Sequence, residues 1–290
     1  AAHSRGLELH AYVNVYSIWE CGRGQPPPTA PEHPFWSLGA DGNWRVHATR
    51  SSGPRPMSES PSGEVPCHEY VWGSPGVERV NAHNLAVIQD IVTRYPVDGI
   101  HLDRVRYPGR QYSQDPESLV RWQAANPSVT REDWQRGQIT AWVGQVRAMM
   151  RSIRPAARLS AAVWFTYKKT PAMNFPTSQG YHDYFQDSHR WLTEGSLDVL
   201  VPMIYGPTFD GDINKWRACA DSHAGLKDQG QVWLGVGGSV APFEGIMERI
   251  DYARGVGTQG VAVFSAGGLE QRGYWDRLKT GPFRQLAIVP

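Results

Sequence analysis

The chain alternates between short apolar segments and longer amphipathic segments over most of its length. In the longer segments apolar residues recur every three or four positions, which predicts helices at 75–95, 130–153, 184–192, 212–222 and 244–256. The short segments are rich in aliphatic and aromatic residues, and they predict strands at 7–16, around Asp103, and at 158–165, 198–205, 231–236 and 260–265. Strands and helices that alternate in this way form a parallel α/β sheet.

The predicted strands favour a TIM-type (β/α)8 barrel, of which only six strands are evident in this chain. A doubly wound nucleotide-binding sheet would need a glycine-rich phosphate loop after a strand. The glycine-rich run at 235–238 lacks both the spacing and the lysine of such a loop. We therefore expect a single barrel domain over residues 1–290, with a long loop insertion rich in Pro, Gly and Ser at about 17–75.

The segment 96–109 places a carboxylate where barrel enzymes carry their chemistry. Side chains alternate along a strand, so His101 and Asp103 share one face and the apolar residues beside them share the other. Asp103 lies at the carboxyl end of this strand, which in a barrel opens onto the catalytic face. Asp103 is therefore the first candidate catalytic residue. Alternatively, its carboxylate is structural and pairs with Arg104, Arg106 or a neighbouring helix N-terminus.

Composition and charge remove several classes of protein from consideration. The net charge is +1 and 20% of the residues are charged, so no overall field favours nucleic acid or a lipid surface. No apolar run approaches the length of a membrane span. The 12 Trp and 12 Tyr residues provide flat apolar faces, which suit stacking on sugar rings as well as packing in a core.

Cysteine and histidine positions indicate neither a metal site nor a cofactor. Cys21, Cys67 and Cys219 form no CxxC pair, and the pair His101-x-Asp103 has no histidine-rich partner elsewhere. Cys21 and Cys67 flank one loop region and would pair in an exported protein. The alternative is three separate, mostly buried thiols.

Five segments of the chain resemble the glycosyl-hydrolase-like family 10 barrels, a bacterial group of glycoside hydrolases. They are LHAYVNVY, PGVERV, VDGIHLDRVRYP, LDVLVPMIY and GPFRQLAIVP, and the resemblance runs from about Arg5 to Pro290. In that family the HAYVN-like segment is the third barrel strand, so the resemblance implies that the first two strands are absent here. Either the chain is part of a longer protein or the barrel is incomplete.

The resemblance also implies a substrate. Members of the family are understood to act on amino-sugar polymers, which implies hydrolysis of peptidoglycan glycan strands or of a related bacterial exopolysaccharide. It further implies a location in the cell envelope or outside the cell, although the N-terminal AAHSRGLELH shows no signal peptide. The expected partner is therefore a polysaccharide substrate.

Glycoside hydrolysis usually needs two carboxyl groups beside the scissile bond. The second one is expected after a later strand, and Asp210 and Glu244 are favoured over Glu20 and Glu270, although each is also explained as a solvated loop acid. Polar and aromatic residues near the predicted strand ends are candidates for substrate binding. They are Asn14, Tyr16, His101, Arg106, Tyr107, Trp164 and Tyr205.

Two other functions compete with a glycoside hydrolase. A carbohydrate-binding barrel without activity would keep the aromatic rim but lack a competent acid pair. A metal-dependent deacetylase or amidohydrolase barrel would need several converging His or Asp ligands, and the sequence does not show them.

Overall fold

The computed structural model describes residues 2–21, 26, 28–39, 41–50, 53–56, 69–112, 114–125, 128–239 and 242–285. The strands are β1 (His10–Asn14), β2 (Ser17–Glu20), β3 (His47–Arg50), β4 (Gly53–Pro56), β5 (Tyr70–Trp72), β6 (Gly99–Asp103), β7 (Arg158–Val163), β8 (Val199–Pro202), β9 (Gln231–Gly237) and β10 (Gly260–Phe264).

The helices lie between these strands and after β10. They are α1 (Pro34–Ser37), α2 (Glu78–Arg94), α3 (Pro116–Gln123), α4 (Arg131–Ile153), α5 (Gly180–Asp183), α6 (Ser188–Thr193), α7 (Pro207–Asp210), α8 (Ile213–Ala224), α9 (Phe243–Gly255), α10 (Ala266–Gln271) and α11 (Trp275–Thr280).

Six strands form one parallel sheet in the order β1-β6-β7-β8-β9-β10, and the sheet curls into a half-barrel. The predicted α/β fold of the TIM-barrel type, with six strands evident, is confirmed. Since every strand in this sheet runs in the same direction, the carboxyl ends of all six meet at one rim.

Alternation along β6 divides its side chains as predicted. Ile100 and Leu102 are fully buried and belong to the hydrophobic core, whereas His101 and Asp103 lie on the other face and are partly exposed. The apolar side chains of a barrel strand that point outward pack on the surrounding helices. The inner face of the sheet is thus left to carry the polar residues.

Two aspartates set the register at the amino ends of the strands. Asp98 accepts a hydrogen bond from the Leu9 amide at 2.7 Å, and Asp198 accepts one from the Leu159 amide at the same distance. The Asp98 amide in turn donates to the Leu9 carbonyl, and the Asp198 amide donates to the Leu159 carbonyl. Each pair of bonds fixes one strand against its neighbour, which is a structural use of a carboxylate.

The insertion at 17–75, expected as a loop, contains secondary structure in its described part. β2 pairs with β5 and β3 pairs with β4, both antiparallel, and α1 lies between β2 and β3. The amide of Gly73, just after β5, donates to the Tyr16 carbonyl at 2.8 Å, which ties this insertion to the end of β1. It therefore lies at the carboxyl rim of the sheet.

Cys21 is disulfide-bonded, and Cys67 lies outside the described residues. Cys219 is a free, buried thiol whose pKa is raised to about 11 by burial. Within the described ranges, no helix is both long enough and apolar enough to cross a membrane.

A groove of about 910 Å³ lies beside β10, between this strand, α9 and residues 281–285. Leu7, Trp233, Val261, Ile250 and Phe283 are among its lining residues, and Asp103 is not. The groove opens at the edge of the half-barrel, away from Asp103, the first candidate catalytic residue.

Candidate active site

Asp103 ends β6, and hydrogen-bond donors surround its carboxylate. The Tyr12 hydroxyl donates to Oδ2, and the Arg104 amide donates to Oδ1 at 2.5 Å. The Arg106 guanidinium lies 3.6 Å from Oδ1. The carboxylate thus faces the phenol of Tyr12 from β1 and two groups from the turn after β6, of which the Arg106 guanidinium lies at ion-pair rather than hydrogen-bond distance. It stays partly open to solvent, since the side chain is 15% exposed.

Backbone conformation explains the donor from Arg104. This residue has φ of 53°, in the left-handed region that non-glycine residues rarely adopt. The turn aims its amide at Asp103, while its guanidinium lies 4.1 Å from the Tyr70 ring centroid and 3.2 Å from Glu69. Arg104 therefore contributes its backbone to the site and its side chain to the insertion.

Aromatic rings hold the Arg106 side chain in place. Its guanidinium carbon lies 5.1 Å from the Trp164 ring, 5.6 Å from Trp72 and 6.0 Å from Tyr184. Burial lowers the pKa of Arg106, and the negative charge of Asp103 opposes that shift. A cation enclosed by rings on several sides keeps a fixed position, so Asp103 has a constant positive neighbour.

His101 supports this arrangement from the layer below. Strand register aligns Tyr12, His101 and Ser160 across three neighbouring strands. The Tyr12 and His101 rings stack at 5.9 Å, and His101 Nδ1 lies 2.8 Å from Ser160 Oγ. Burial lowers the pKa of His101. The neutral His101 ring therefore packs against the Tyr12 ring and supports it.

Sequence reasoning did not select Tyr12, although a signal existed. Tyr12 and Asn14 alternate with apolar residues in the first predicted strand, so they share one face. Asn14 is exposed at the rim, pairs with Asp103 in the strand register and lies 3.2 Å from the Tyr12 hydroxyl. Its predicted position at the rim agrees with this geometry.

Two glycines of β9 make space for side chains that follow β8. A Cβ atom on Gly235 would overlap the Pro202 carbonyl and lie 3.2 Å from the Tyr205 ring. A Cβ atom on Gly237 would overlap the Asp210 carboxylate. The glycine-rich run at 235–238, which lacks the features of a nucleotide-binding loop, thus has a packing role. It leaves space for Tyr205 and Asp210 on the inner side of the sheet.

Asp210 is buried at 6% exposure, and its two oxygens differ. Oδ2 accepts a hydrogen bond from the Gly206 amide at 3.0 Å, whereas Oδ1 has no hydrogen-bond partner in the described part of the chain. Burial raises the pKa of Asp210, against the opposing effects of the Gly206 amide and Arg249. Its surroundings therefore favour the protonated form.

Tyr205 connects this region to Asp103. Burial is the main cause that raises the pKa of its hydroxyl, and the negative charge of Asp103 acts in the same direction. The Tyr205 ring stacks on Phe264, with centroids 4.9 Å apart and planes 14° from parallel. Phe264, which the sequence did not select, ends β10 at the same rim.

Glu244 does not join this cluster in the described contacts. It lies in the first turn of α9, where Arg277 donates to it at 2.7 Å, and its side chain is 76% exposed. The hydrogen bond from Arg277 lowers the pKa of this carboxyl. Of the two acids favoured for the second carboxylate, Asp210 is the one placed on the inner side of the sheet.

Two of the predicted substrate-binding residues lie fully in the core, and a third packs beside the site. Tyr16 and Tyr107 are fully buried, the first bonded to Asn81 at 2.9 Å and the second packed edge-on against Phe185. These positions do not fit the predicted contact with a substrate. Trp164 is partly buried and donates to the Ser178 carbonyl at 3.1 Å, so it supports Arg106.

A metal site is not evident in the ranges that the structure describes, where no group of three or more His, Cys, Asp or Glu side chains could hold an ion.

A half-barrel with a carboxylate at the carboxyl end of a strand, set among aromatic rings and donors, is the arrangement of glycoside-hydrolase-like barrels. The comparison with known families agrees. The chain belongs to the Glycosyl hydrolase-like 10 family, whose model matches residues 2–237. The resemblance found in the sequence is thereby confirmed.

Two bacterial relatives carry names of the same kind. Glycosyl hydrolase DigH of Escherichia coli K12 is 26% identical over 225 residues, covering 71% of this chain and 44% of DigH. Glycosyl hydrolase YngK of Bacillus subtilis strain 168 is 22% identical over 216 residues, covering 70% of this chain and 37% of YngK. The chain thus spans less than half the length of these relatives.

Solved structures show the same fold. The PgaB (BpsB) glycoside hydrolase domain from Bordetella bronchiseptica matches with a TM-score of 0.63 at 13% identity, covering 94% of this chain and 75% of that domain. Alpha-L-fucosidase isoenzyme 2 from Paenibacillus thiaminolyticus matches with a TM-score of 0.53 at 14% identity, covering 98% of this chain and 39% of the fucosidase.

Proposed function

We propose that this chain hydrolyses glycosidic bonds of a bacterial amino-sugar polysaccharide, either peptidoglycan glycan strands or a related exopolysaccharide. The observation that carries the proposal is the Asp103 carboxylate at the rim, held by Tyr12, the Arg104 amide and Arg106. Membership of a glycosyl-hydrolase-like family supports the reaction type. The family resemblance supports the choice of an amino sugar.

Asp103 acts as the carboxylate that faces the sugar. Fixed donors and a positive charge on one side of a carboxylate keep its geometry constant while the substrate reacts. In this role Asp103 attacks the anomeric carbon, activates water, or orients a 2-acetamido group of the substrate that attacks instead. All three routes need a second group that gives a proton to the leaving oxygen.

Asp210 is the better candidate for that proton donor. A general acid works best when its surroundings favour the protonated form, and burial shifts the pKa of Asp210 upward, in that direction. Its Oδ1, which has no hydrogen-bond partner among the described residues, lies against Gly237 on the inner side of the sheet. Glu244, in contrast, is exposed and ion-paired with Arg277, which favours its anionic form.

A location in the cell envelope or outside the cell is part of the proposal. Disulfides persist in oxidising compartments, and Cys21 is disulfide-bonded.

One observation favours a second function, a carbohydrate-binding barrel without activity. Asp210 is only 6% exposed, so its carboxyl group must become accessible before it can meet a glycosidic oxygen. A chain without an accessible second acid would bind the polymer through its rim and leave it intact.

The test is to incubate the parent protein and its Asp103→Asn variant with peptide-free peptidoglycan glycans and with poly-N-acetylglucosamine. Products are analysed by mass spectrometry, and Glu244→Gln serves as a control for a lost carboxylate elsewhere. New oligosaccharides from the parent and the control, but not from Asp103→Asn, would support hydrolysis. Binding without cleavage by the parent would instead support the binding barrel.

A further inference from the structure

Phe264 is an exposed aromatic residue at the rim that carries Asp103. It is the last residue of β10, and 57% of its surface is exposed to solvent. Single exposed apolar side chains are common on protein surfaces, so exposure alone assigns no role to this ring. Its place at the rim that carries Asp103, and the Tyr205 ring that packs against it, distinguish it.

Alternation along β10 places Phe264 on the inner side of the sheet. Val263 lies on the outer side, where it lines a groove with Leu269 and Leu278 from the outer helices. The next residue, Phe264, therefore points the opposite way, and its register partner on β9 is Gly237.

Tyr205 lies against one face of Phe264 and supports the ring. The two rings are nearly parallel, with centroids 4.9 Å apart. Tyr205 occupies the space beside Gly235, where a side chain on β9 would displace it. The absence of a Cβ at that position thus allows the stack to form inside the rim.

The stack adjoins the carboxylate of the candidate active site. Asp103 and Tyr12 both interact electrostatically with the Tyr205 hydroxyl. A sugar ring bound on Phe264 would thus lie on the same inner side of the sheet as Asp103.

We propose that Phe264, backed by Tyr205, is a stacking platform for one pyranose ring of the substrate. A gluco-configured sugar such as N-acetylglucosamine carries its axial C–H groups on its two faces, and an aromatic ring offers a flat apolar partner for such a face. The hydroxyl groups at the sugar's edge stay free for hydrogen bonds. This assignment rests on the proposed function, because it presumes a carbohydrate ligand.

The test measures binding without turnover. Asp103→Asn is titrated with the β-1,4-linked tetrasaccharide of N-acetylglucosamine and with peptide-free peptidoglycan oligosaccharides, by calorimetry or NMR. Phe264→Ala and Phe264→Trp are then introduced into the same background. We expect Phe264→Ala to weaken binding about threefold to tenfold, and Phe264→Trp to retain it.

Tyr95→Ala is the matched control, because Tyr95 is 51% exposed but follows α2, at the amino end of β6. It should leave the affinity unchanged. Thermal unfolding of each variant checks that the fold is intact, and Phe264→Trp, which keeps an aromatic face, guards against a loss caused by local collapse.

The outcomes separate the platform from the proposed function. If Phe264→Ala binds the oligosaccharides as tightly as the Asp103→Asn protein that keeps Phe264, and the parent cleaves the polymer, the stacking platform is wrong but the proposed function stands. If neither oligosaccharide binds Asp103→Asn and the parent cleaves neither polymer, both proposals fail. Weaker binding of Phe264→Ala, with Tyr95→Ala unchanged, would support the platform.

Discussion

The Tyr12 hydroxyl donates a hydrogen bond to Asp103 across the pair formed by β1 and β6. Tyr12 pairs in register with His101, so its hydroxyl reaches diagonally to the residue two positions further along the neighbouring strand. The His101 ring, its register neighbour, packs against the Tyr12 ring with centroids 5.9 Å apart. Burial, more than the bond to Asp103, raises the pKa of Tyr12, so the phenol remains a donor at neutral pH.

Removal of this donor should reduce turnover more than binding. We expect Tyr12→Phe to lower kcat about 10-fold to 100-fold, as for loss of a hydrogen bond to a charged group, with a smaller change in KM. Steady-state kinetics on the polymer identified as substrate gives both values.

Tyr252→Phe is the control for this prediction, since Tyr252 also donates to an aspartate, Asp221, at 2.6 Å, but on the outer helices. Its kinetics should match those of the parent. If kcat falls equally in Tyr12→Phe and Tyr252→Phe, the effect of Tyr12→Phe is due to lost stability and not to the bond with Asp103.

Substrates with different leaving groups can show whether Asp210 or Glu244 is the general acid. A general acid is needed for a poor leaving group and is dispensable for a good one. We expect Asp210→Asn to lose about 100-fold or more in kcat/KM on a natural oligosaccharide and far less on a dinitrophenyl glycoside of the same sugar. Glu244→Gln should leave both rates near the parent values. The reverse pattern would transfer the role to Glu244.

Gly237 should tolerate no side chain. A Cβ at this position would overlap the Asp210 carboxylate, so Gly237→Ala should lower the free energy of unfolding by about 1–3 kcal/mol and reduce activity. Denaturant unfolding monitored by circular dichroism measures the stability.

Gly137→Ala supplies the contrast. Gly137 lies within α4, and the space that a Cβ atom would occupy there is open, so an alanine should stabilise the helix by about 0.5–1 kcal/mol. If Gly237→Ala changes neither the free energy of unfolding nor the activity, the Asp210 side chain is able to move away from the added methyl group.

Two histidines should make the fold sensitive to acid. His189 Nε2 lies 3.0 Å from His223 Nδ1, and His223 Nε2 lies 3.1 Å from the Phe165 carbonyl. Burial lowers the pKa of both rings below the value of about 6.5 expected in an unfolded chain. Below that pH the unfolded chain binds more protons than the folded one, so stability falls as the pH falls from about 7.

Thermal melting between pH 8 and pH 5 tests the role of this pair. His223→Gln should lower the melting temperature at pH 8, because it disturbs a buried bond, but should show a smaller loss on acidification than the parent. If the melting temperature of His223→Gln falls with pH as steeply as that of the parent, the histidine pair is not the cause of the acid sensitivity.

Local patterns predicted the elements that bury an apolar face. Thr130 begins α4 as expected, since its side chain accepts a bond from the Asp133 amide at 3.2 Å. The sequence also contains a helix-start signal for α3. Asp115 and Pro116 form an N-cap followed by a proline at the first helical position, and Asp115 accepts from Ser118 at 2.9 Å.

Tyr16 marks the point at which alternation ceases to be informative. The period-two pattern puts it on the same face as Tyr12 and Asn14, but β1 ends at Asn14 and the chain bends at residues 15 and 16. The bend turns Tyr16 into the core, where it bonds to Asn81 of α2. A strand's end depends on what packs beyond it, which its own sequence does not contain.

The sequence by itself determined the alternation of strands and helices, the parallel sheet and the position of Asp103 at a strand end, because each follows from periodicity within a few consecutive residues. Only the tertiary structure decided which residues surround that carboxylate. Tyr12 lies 91 residues from Asp103 in the chain, and Trp72, Trp164 and Tyr205 come from three further segments. Contacts of this kind depend on how the strands pair and where the insertion packs, so no local pattern encodes them.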